Sequence, residues 1–196
     1  MSRTCVIQYA TGEEYTNQLA ISGPINYEKA YRHNYDYKLY THDAGKRGAS
    51  WERVAIFKEL LHSYDYLIWL DVDSVWYKDE PLLNAIPNMN FTFYLTKHNE
   101  DPIPHFNLGV MYIQVSSELE ECLNIWDNTD DEGHVWWEQY SFLKCCKDPI
   151  FSLEVCEIPH RWNSLPHIHH YTSQDPVVVS WHGLPNRTQF MKEFLK

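Results

Sequence analysis

The sequence predicts an α/β protein of one domain, with a Rossmann-like, mainly parallel sheet flanked by helices. Three observations carry this expectation. At 196 residues the chain is long enough to bury one core without covalent staples. Its opening part reads strand, helix, strand, helix, strand, the order that by itself describes a doubly wound parallel sheet. The last of these strands, Tyr66-Leu67-Ile68-Trp69-Leu70, is an unbroken apolar and aromatic run, as expected of a strand covered on both faces.

Thr4 to Tyr9 is the first strand. The small-residue turn Tyr9-Ala10-Thr11-Gly12 follows, where backbone groups can meet a flat ligand and Tyr15 can stack on it; a plain strand-to-helix turn reads equally well. Asn26 to Asn34 reads as a helix following Pro24, with Tyr27, Ala30 and Tyr31 on one face. Tyr35 to Tyr40 alternates as a second strand, and the loop Thr41 to Ala49 is rich in glycine and positive charge. Ser50 is placed to cap a helix from Trp51 to His62 with an apolar stripe of Val54, Ala55, Phe57, Leu60 and Leu61. Arg53, in its first turn, reads on its own as a solvated helix charge.

Beyond the central strand, Pro81 to Ile86 reads as a short helix and Phe91 to Leu95 as a strand. The loop Lys97 to Pro104 carries Asp101 and leads into Phe106-Asn107-Leu108-Gly109-Val110-Met111-Tyr112-Ile113, a strand in which Gly109 allows close backbone approach. Ser117 to Trp126 is amphipathic, Asn128 to Gly133 is an acidic loop, and Trp136 to Leu143 opens a helix with Glu138 and Gln139 near its start. Ser152 to Ile158 alternates as a strand. His160, His167, His169 and His170 follow no ligand spacing and read as surface and packing. Val177 to Trp181 is a buried strand ending on His182-Gly183.

A formal charge of -11 leaves no basic stripe to neutralise phosphates, which argues against nucleic acid as a partner. An acidic protein that binds an anionic ligand needs a metal or a few local cations. The cysteines, Cys5, Cys122, Cys145, Cys146 and Cys156, are odd in number and form no Cys-x-x-Cys pair, so neither a disulfide framework nor a zinc site is indicated. No apolar run approaches a membrane span, and the chain opens directly into a strand; a cytoplasmic location is the expectation.

The chemistry concentrates at Asp71 and Asp73. In an open α/β sheet, ligands bind beyond the carboxyl ends of the strands, where these two residues stand. Two like charges beside Trp69 and Trp76 are costly without a cation to offset them. A hard divalent ion that keeps positions open for phosphate oxygens suits them. An Asp-x-Asp pair after a strand also suits an ordinary turn, in which the side chains bond backbone amides.

Four segments together resemble the nucleotide-sugar glycosyltransferases of the GT-A fold, nearest to retaining families such as the glycogenin-like enzymes, the lipooligosaccharide galactosyltransferases and the galactosyl/xylosyltransferases. Trp69-Leu70-Asp71-Val72-Asp73-Ser74-Val75 resembles the family's Asp-x-Asp motif, and Phe106-Asn107-Leu108-Gly109-Val110-Met111 its Phe-Asn-x-Gly-Val strand. Trp137-Glu138-Gln139 is similar to its acidic-Gln pair before a helix, and Ser180-Trp181-His182-Gly183 to its C-terminal histidine segment. The segments stand in the family's order over nearly the whole chain.

The resemblance implies a GT-A-like mixed sheet, with a nucleotide-binding half over about 1–100 and an acceptor half over about 101–196. It implies Asp71, Asp73 and His182 as ligands of Mn²⁺ or Mg²⁺, the imidazole favouring the softer Mn²⁺. Ala10, Thr11 and Tyr15 would meet the base, and Arg53 the donor sugar or phosphate. Asn107, Glu138 and Gln139 would line the donor sugar, with Gln139 near the reacting carbon. The family's lysine after the histidine segment has no match here, and Arg187 is the candidate in its place. The implied partners are a nucleotide-sugar donor, a UDP-sugar favoured, and a glycan or glycoprotein acceptor, with transfer retaining configuration. Two rivals use the same residues: a haloacid-dehalogenase-type phosphatase with Asp71 as nucleophile, and a non-catalytic sugar-binding module. The phosphatase motif belongs on a first strand, whereas two strands precede Asp71.

Overall fold

The computed structural model describes residues 2–87, 90–99 and 104–196. Strands β1 (Thr4–Tyr9), β2 (Asp36–Tyr40) and β3 (Tyr66–Leu70) pair in parallel, joined by α1 (Glu13–Arg32) and α2 (Glu52–Leu60). A short strand β4 (Ser74–Trp76) follows, then β5 (Phe93–Leu95), the small antiparallel pair β6 (Lys97–His98) and β7 (His105–Phe106), and β8 (Val110–Gln114). Helices α3 (Leu119–Asn128), α4 (Trp137–Cys145) and α5 (Pro149–Ser152) lead to β9 (Val155–Glu157), β10 (Val178–Ser180) and α6 (Arg187–Phe194).

The six-stranded sheet has the order β2-β1-β3-β8-β5-β9. Only β8 runs against its neighbours, antiparallel to both β3 and β5, so the sheet is mixed and mainly parallel, not the wholly parallel one that the opening elements describe. This reversal matters to the site. It brings the start of β8, with Asn107 and Gly109 before it, to the carboxyl end of β3, where Asp71 donates its N–H to the Gly109 carbonyl at 2.8 Å. Strand β10 pairs antiparallel with β4, carrying the C-terminal histidine to the same edge.

Strand residues divide by a period of two. Cys5, Ile7, Leu67, Trp69, Phe93, Leu95, Met111 and Ile113 pack one face with α2, α3, α4 and α5. Val6, Ile68, Leu70, Tyr94, Val110 and Tyr112 pack the other with Ala30 of α1, Trp76 and Val178. The sheet is therefore covered on both sides, which is why β3 reads as an uninterrupted apolar run.

Several expectations are corrected. Helix α1 begins at Glu13, not Asn26, and carries Pro24 in its interior despite the missing N–H. Its buried side is Gln18, Leu19, Ser22, Gly23, Asn26 and Ala30, a largely polar stripe, while Tyr27 and Tyr31 face solvent. Ser50 does not cap α2; it lies within the short 3-10 turn Ala49–Trp51 that leads into the helix. The stripe of α2 is Arg53, Val54, Ile56, Phe57 and Leu60, with Ala55 exposed and Arg53 buried. The segment expected as a strand from Ser152 begins within a helical turn capped by Asp148, and the strand spans only Val155–Glu157. Asp101 lies outside the described residues. His169 and His170 are exposed, but His160 packs against Tyr171 and His98, and His167 reaches the His182 carbonyl. No helix among the described residues is long and apolar enough to cross a membrane.

Candidate active site

Asp71 follows the last residue of β3, and the turn into β4 places Asp73 two residues on. The turn is held from behind by Gln8 of β1 and by Ser22 and Asn26 of α1. Gln8 donates to the Asp71 carbonyl at 3.2 Å, Ser22 to that of Val72 at 2.8 Å and Asn26 to that of Ser74 at 3.0 Å. Asn26 also accepts the Trp76 N–H at 2.7 Å. All three side chains are fully buried and bonded to each other or to Tyr37, so Gln8 of β1 and the polar stripe of α1 together mould the Asp-x-Asp turn.

The two carboxylates differ. Asp71 Oδ1 accepts from Trp69 Nε1 at 2.6 Å and from Arg53 Nη2 at 3.2 Å, while Oδ2 lies 3.9 Å from His182 Nδ1. Asp73 is almost fully buried between His182 Nδ1, 2.9 Å from Oδ1, and Arg187 Nη1, which donates to Oδ2 at 2.7 Å. Burial pushes both acids up. At Asp71 burial prevails over Arg53 and His182, whereas at Asp73 the attraction of His182 and Arg187 prevails and holds it below the usual carboxylate range.

Arg53 is the hub on the other side. From the first turn of α2 it donates to the Leu108 carbonyl, pairs with Asp71 and reaches Glu138 Oε1 at 3.3 Å, with its guanidinium 5.0 Å from the Trp69 ring centre. Burial raises the Glu138 carboxyl against the pull of Arg53. Gln139, next along α4, accepts the Leu108 N–H at 3.1 Å through Oε1. Asn107 accepts the Gly109 N–H at 2.9 Å through Oδ1. Ala10 packs with Leu19 and Val72 beside the turn, Thr11 is partly exposed next to it, and the half-exposed Tyr15 ring lies 5.9 Å from the Arg187 guanidinium. A surface depression bordered by Glu14, Asn186, Arg187 and Lys192 adjoins this corner. Another, on the outer face of α3, holds none of these groups.

The sequence-predicted residues thus converge from β3, α2, the β8 entry, α4 and the β10–α6 segment. Asp71, Asp73 and His182 offer ligand atoms all within 4.8 Å of one another, the one such group among the described residues. A divalent cation fits them. The donor set is two carboxylates and an imidazole, Asp73 is almost fully buried, and His182 Nε2 is buried with no hydrogen-bond partner among the described residues.

Sequence reasoning missed three contributors: Trp69 as a donor to Asp71, the side chains of Gln8, Ser22 and Asn26 behind the turn, and Asn163, which bonds Asn107. None of these leaves a pattern in the sequence, whereas Arg53, which the resemblance names, does. It lies on the i, i+3, i+4, i+7 stripe with Ile56, Phe57 and Leu60, where a solvated charge does not belong.

No protein-family model and no curated protein matches the chain. Solved structures do. A glycosyltransferase involved in the glycosylation of the major capsid of PBCV-1 superposes with a TM-score of 0.74 at 15% identity, covering 97% of this chain and 99% of that one. The galactosyltransferase LgtC, solved with donor and acceptor sugar analogs, gives 0.55 at 14% identity over 96% of this chain and 94% of its own. The glycosyltransferase GlyE of Streptococcus pneumoniae TIGR4 gives 0.62 at 10% identity, covering 99% of this chain and 60% of GlyE. The chain has the GT-A-like fold of these proteins.

Proposed function

We propose that this protein is a metal-dependent glycosyltransferase that moves a hexose or pentose from a nucleoside diphosphate sugar, a UDP-sugar favoured, to a hydroxyl of a glycan or glycoprotein. The observation that carries the reading is the Asp71–Asp73–His182 cluster at the carboxyl edge of the sheet in this fold. Asp71, Asp73 and His182 would hold Mn²⁺ or Mg²⁺. When bound, the ion supplies positive charge to a diphosphate leaving group.

The chain's own residues do the rest. Trp69 and Arg53 orient the Asp71 carboxylate, and Arg187, beside Asp73, is the side chain within reach to meet phosphate charge. Ala10, Thr11 and Tyr15 flank the same corner and would receive the base, placing the nucleotide in the half formed by about 1–100. Asn107, Glu138 and Gln139 stand on the far side of Asp71 and would line the sugar, with the acceptor entering over the later half. Such a site works by positioning and electrostatic stabilisation and needs no strong protein nucleophile. Retention of configuration belongs to the same proposal and rests on the resemblance.

The direct test is turnover. Nucleoside diphosphate release from UDP-glucose, UDP-galactose and GDP-mannose is followed with Mn²⁺ and with EDTA. Metal-dependent release from one donor is the expected result. Absence of release from all three, together with Mg²⁺-dependent hydrolysis of a phosphate monoester, would refute it.

A further inference from the structure

Two consecutive backbone amides set the polarity of two side-chain amides at the candidate sugar subsite. The Gly109 N–H meets Asn107 and the Leu108 N–H meets Gln139. A backbone N–H can only donate, so the side-chain atoms facing these groups are the oxygens, Oδ1 of Asn107 and Oε1 of Gln139. Among the described residues neither NH₂ group has a hydrogen-bond partner, so each is left for a ligand.

Asn107 is further held by Asn163, whose Nδ2 donates to the same Oδ1 at 2.9 Å and lies 3.3 Å from Thr96 Oγ1. Asn163 is fully buried between the short helical turn His160–Trp162 and Ser164, which bridges to Val179. Its own Oδ1 has no partner among the described residues. A buried amide with an unpaired oxygen carries a cost, and what it provides in return is the pair of N–H groups aimed at Asn107 and Thr96.

We propose that Asn163 is a positioning residue that fixes the donor-sugar subsite as a hydrogen-bond donor surface, through Asn107, for acceptor oxygens of a nucleotide-linked sugar. This rests on the glycosyltransferase reading above. Asn163 touches no ligand itself. Without its N–H, Asn107 is held among the described residues by Gly109 alone and is free to turn about χ2. A carboxylate at position 163 goes further, because it sets acceptor against acceptor and favours an Asn107 rotated to offer its oxygen to the ligand.

The test compares Asn163→Asp and Asn163→Ala with the wild type by calorimetric titration. UDP with Mn²⁺ reports the nucleotide and metal corner. Whichever of UDP-glucose, UDP-galactose and GDP-mannose the wild type binds reports the sugar as well; if that donor is GDP-mannose, GDP replaces UDP. Both variants are expected to bind the nucleoside diphosphate within about twofold of wild type. The extra affinity contributed by the sugar should fall about tenfold in the Asp variant, the scale of one lost polar hydrogen bond, and by less in the Ala variant. An unchanged ratio of sugar-nucleotide to nucleotide affinity overturns the proposal, as does an equal loss for both ligands, which is what a merely structural role gives. If burying a carboxylate prevents folding, the Ala variant decides by the same ratio. A wild type that binds nucleoside diphosphate but no nucleotide sugar instead overturns the glycosyltransferase reading beneath it.

Discussion

A Cβ atom added at Gly109 would lie 2.1 Å from Cε1 and 2.2 Å from Nε2 of His182, so the imidazole occupies the space that any other residue would fill. Gly109 is needed for this approach, whatever its backbone angles. The Gly109→Ala variant is therefore expected to displace the imidazole and to lose Mn²⁺ affinity at least about tenfold, one ligand of three being moved. Titration of Mn²⁺ by electron paramagnetic resonance checks it, and wild-type affinity would show that His182 is not a ligand. The residue scale also shows what was legible. Asp71 and Asp73 stand out because carboxylates directly after a fully apolar strand demand an explanation. The pairing of Gly109 with His182 joins residues 73 positions apart and depends on the reversed direction of β8, which local periodicity does not encode. Asn163 and Trp69 act by one or two contacts each, which leave no pattern at all.

At the scale of elements, α1 was the least legible, and the reason is physical. Amphipathicity finds helices whose buried side is apolar, whereas the buried side of α1 is Gln18, Ser22 and Asn26 beside Leu19 and Ala30. That polar stripe, together with Gln8 of β1, moulds the Asp-x-Asp turn. Asn26→Ala removes the partners of the Ser74 carbonyl and the Trp76 N–H together and is expected to cost about 2–4 kcal/mol in urea unfolding, with Mn²⁺ affinity falling as the turn loosens. A loss below about 1 kcal/mol would mean that water replaces the amide and that α1 does not set the turn. Strand β6 carries a second element-scale prediction. Burial, then the neighbouring His105, His182 and His160, pushes the His98 imidazole down to about 3. The folded pKa is depressed, so the contribution to stability is present above the unfolded value of 6.5 and is lost as pH falls from there towards 3. Each pH unit in that window costs up to about 1.4 kcal/mol. Urea midpoints at pH 7.5, 6 and 5 should fall less steeply for His98→Asn than for wild type, and parallel slopes would contradict the assignment.

Across the whole molecule, the parallel half, β2-β1-β3, follows from alternating strands and helices and was readable in order. The antiparallel insertion of β8 between β3 and β5 was not, since strand order depends on long-range pairing. It is this insertion that gathers the Asp pair, the Asn107–Gly109 entry, α4 and the C-terminal histidine at one edge. The proposed binding of a sugar nucleotide at this edge, through a metal held by Asp71, Asp73 and His182, is read by calorimetric titration of UDP-glucose, UDP-galactose and GDP-mannose in Mn²⁺ and in EDTA, on the wild type and on Asp73→Ala. Binding of one donor that requires Mn²⁺ and disappears in the variant is the predicted result. Binding that persists in EDTA or in Asp73→Ala, or no binding of any donor by the wild type, would contradict it.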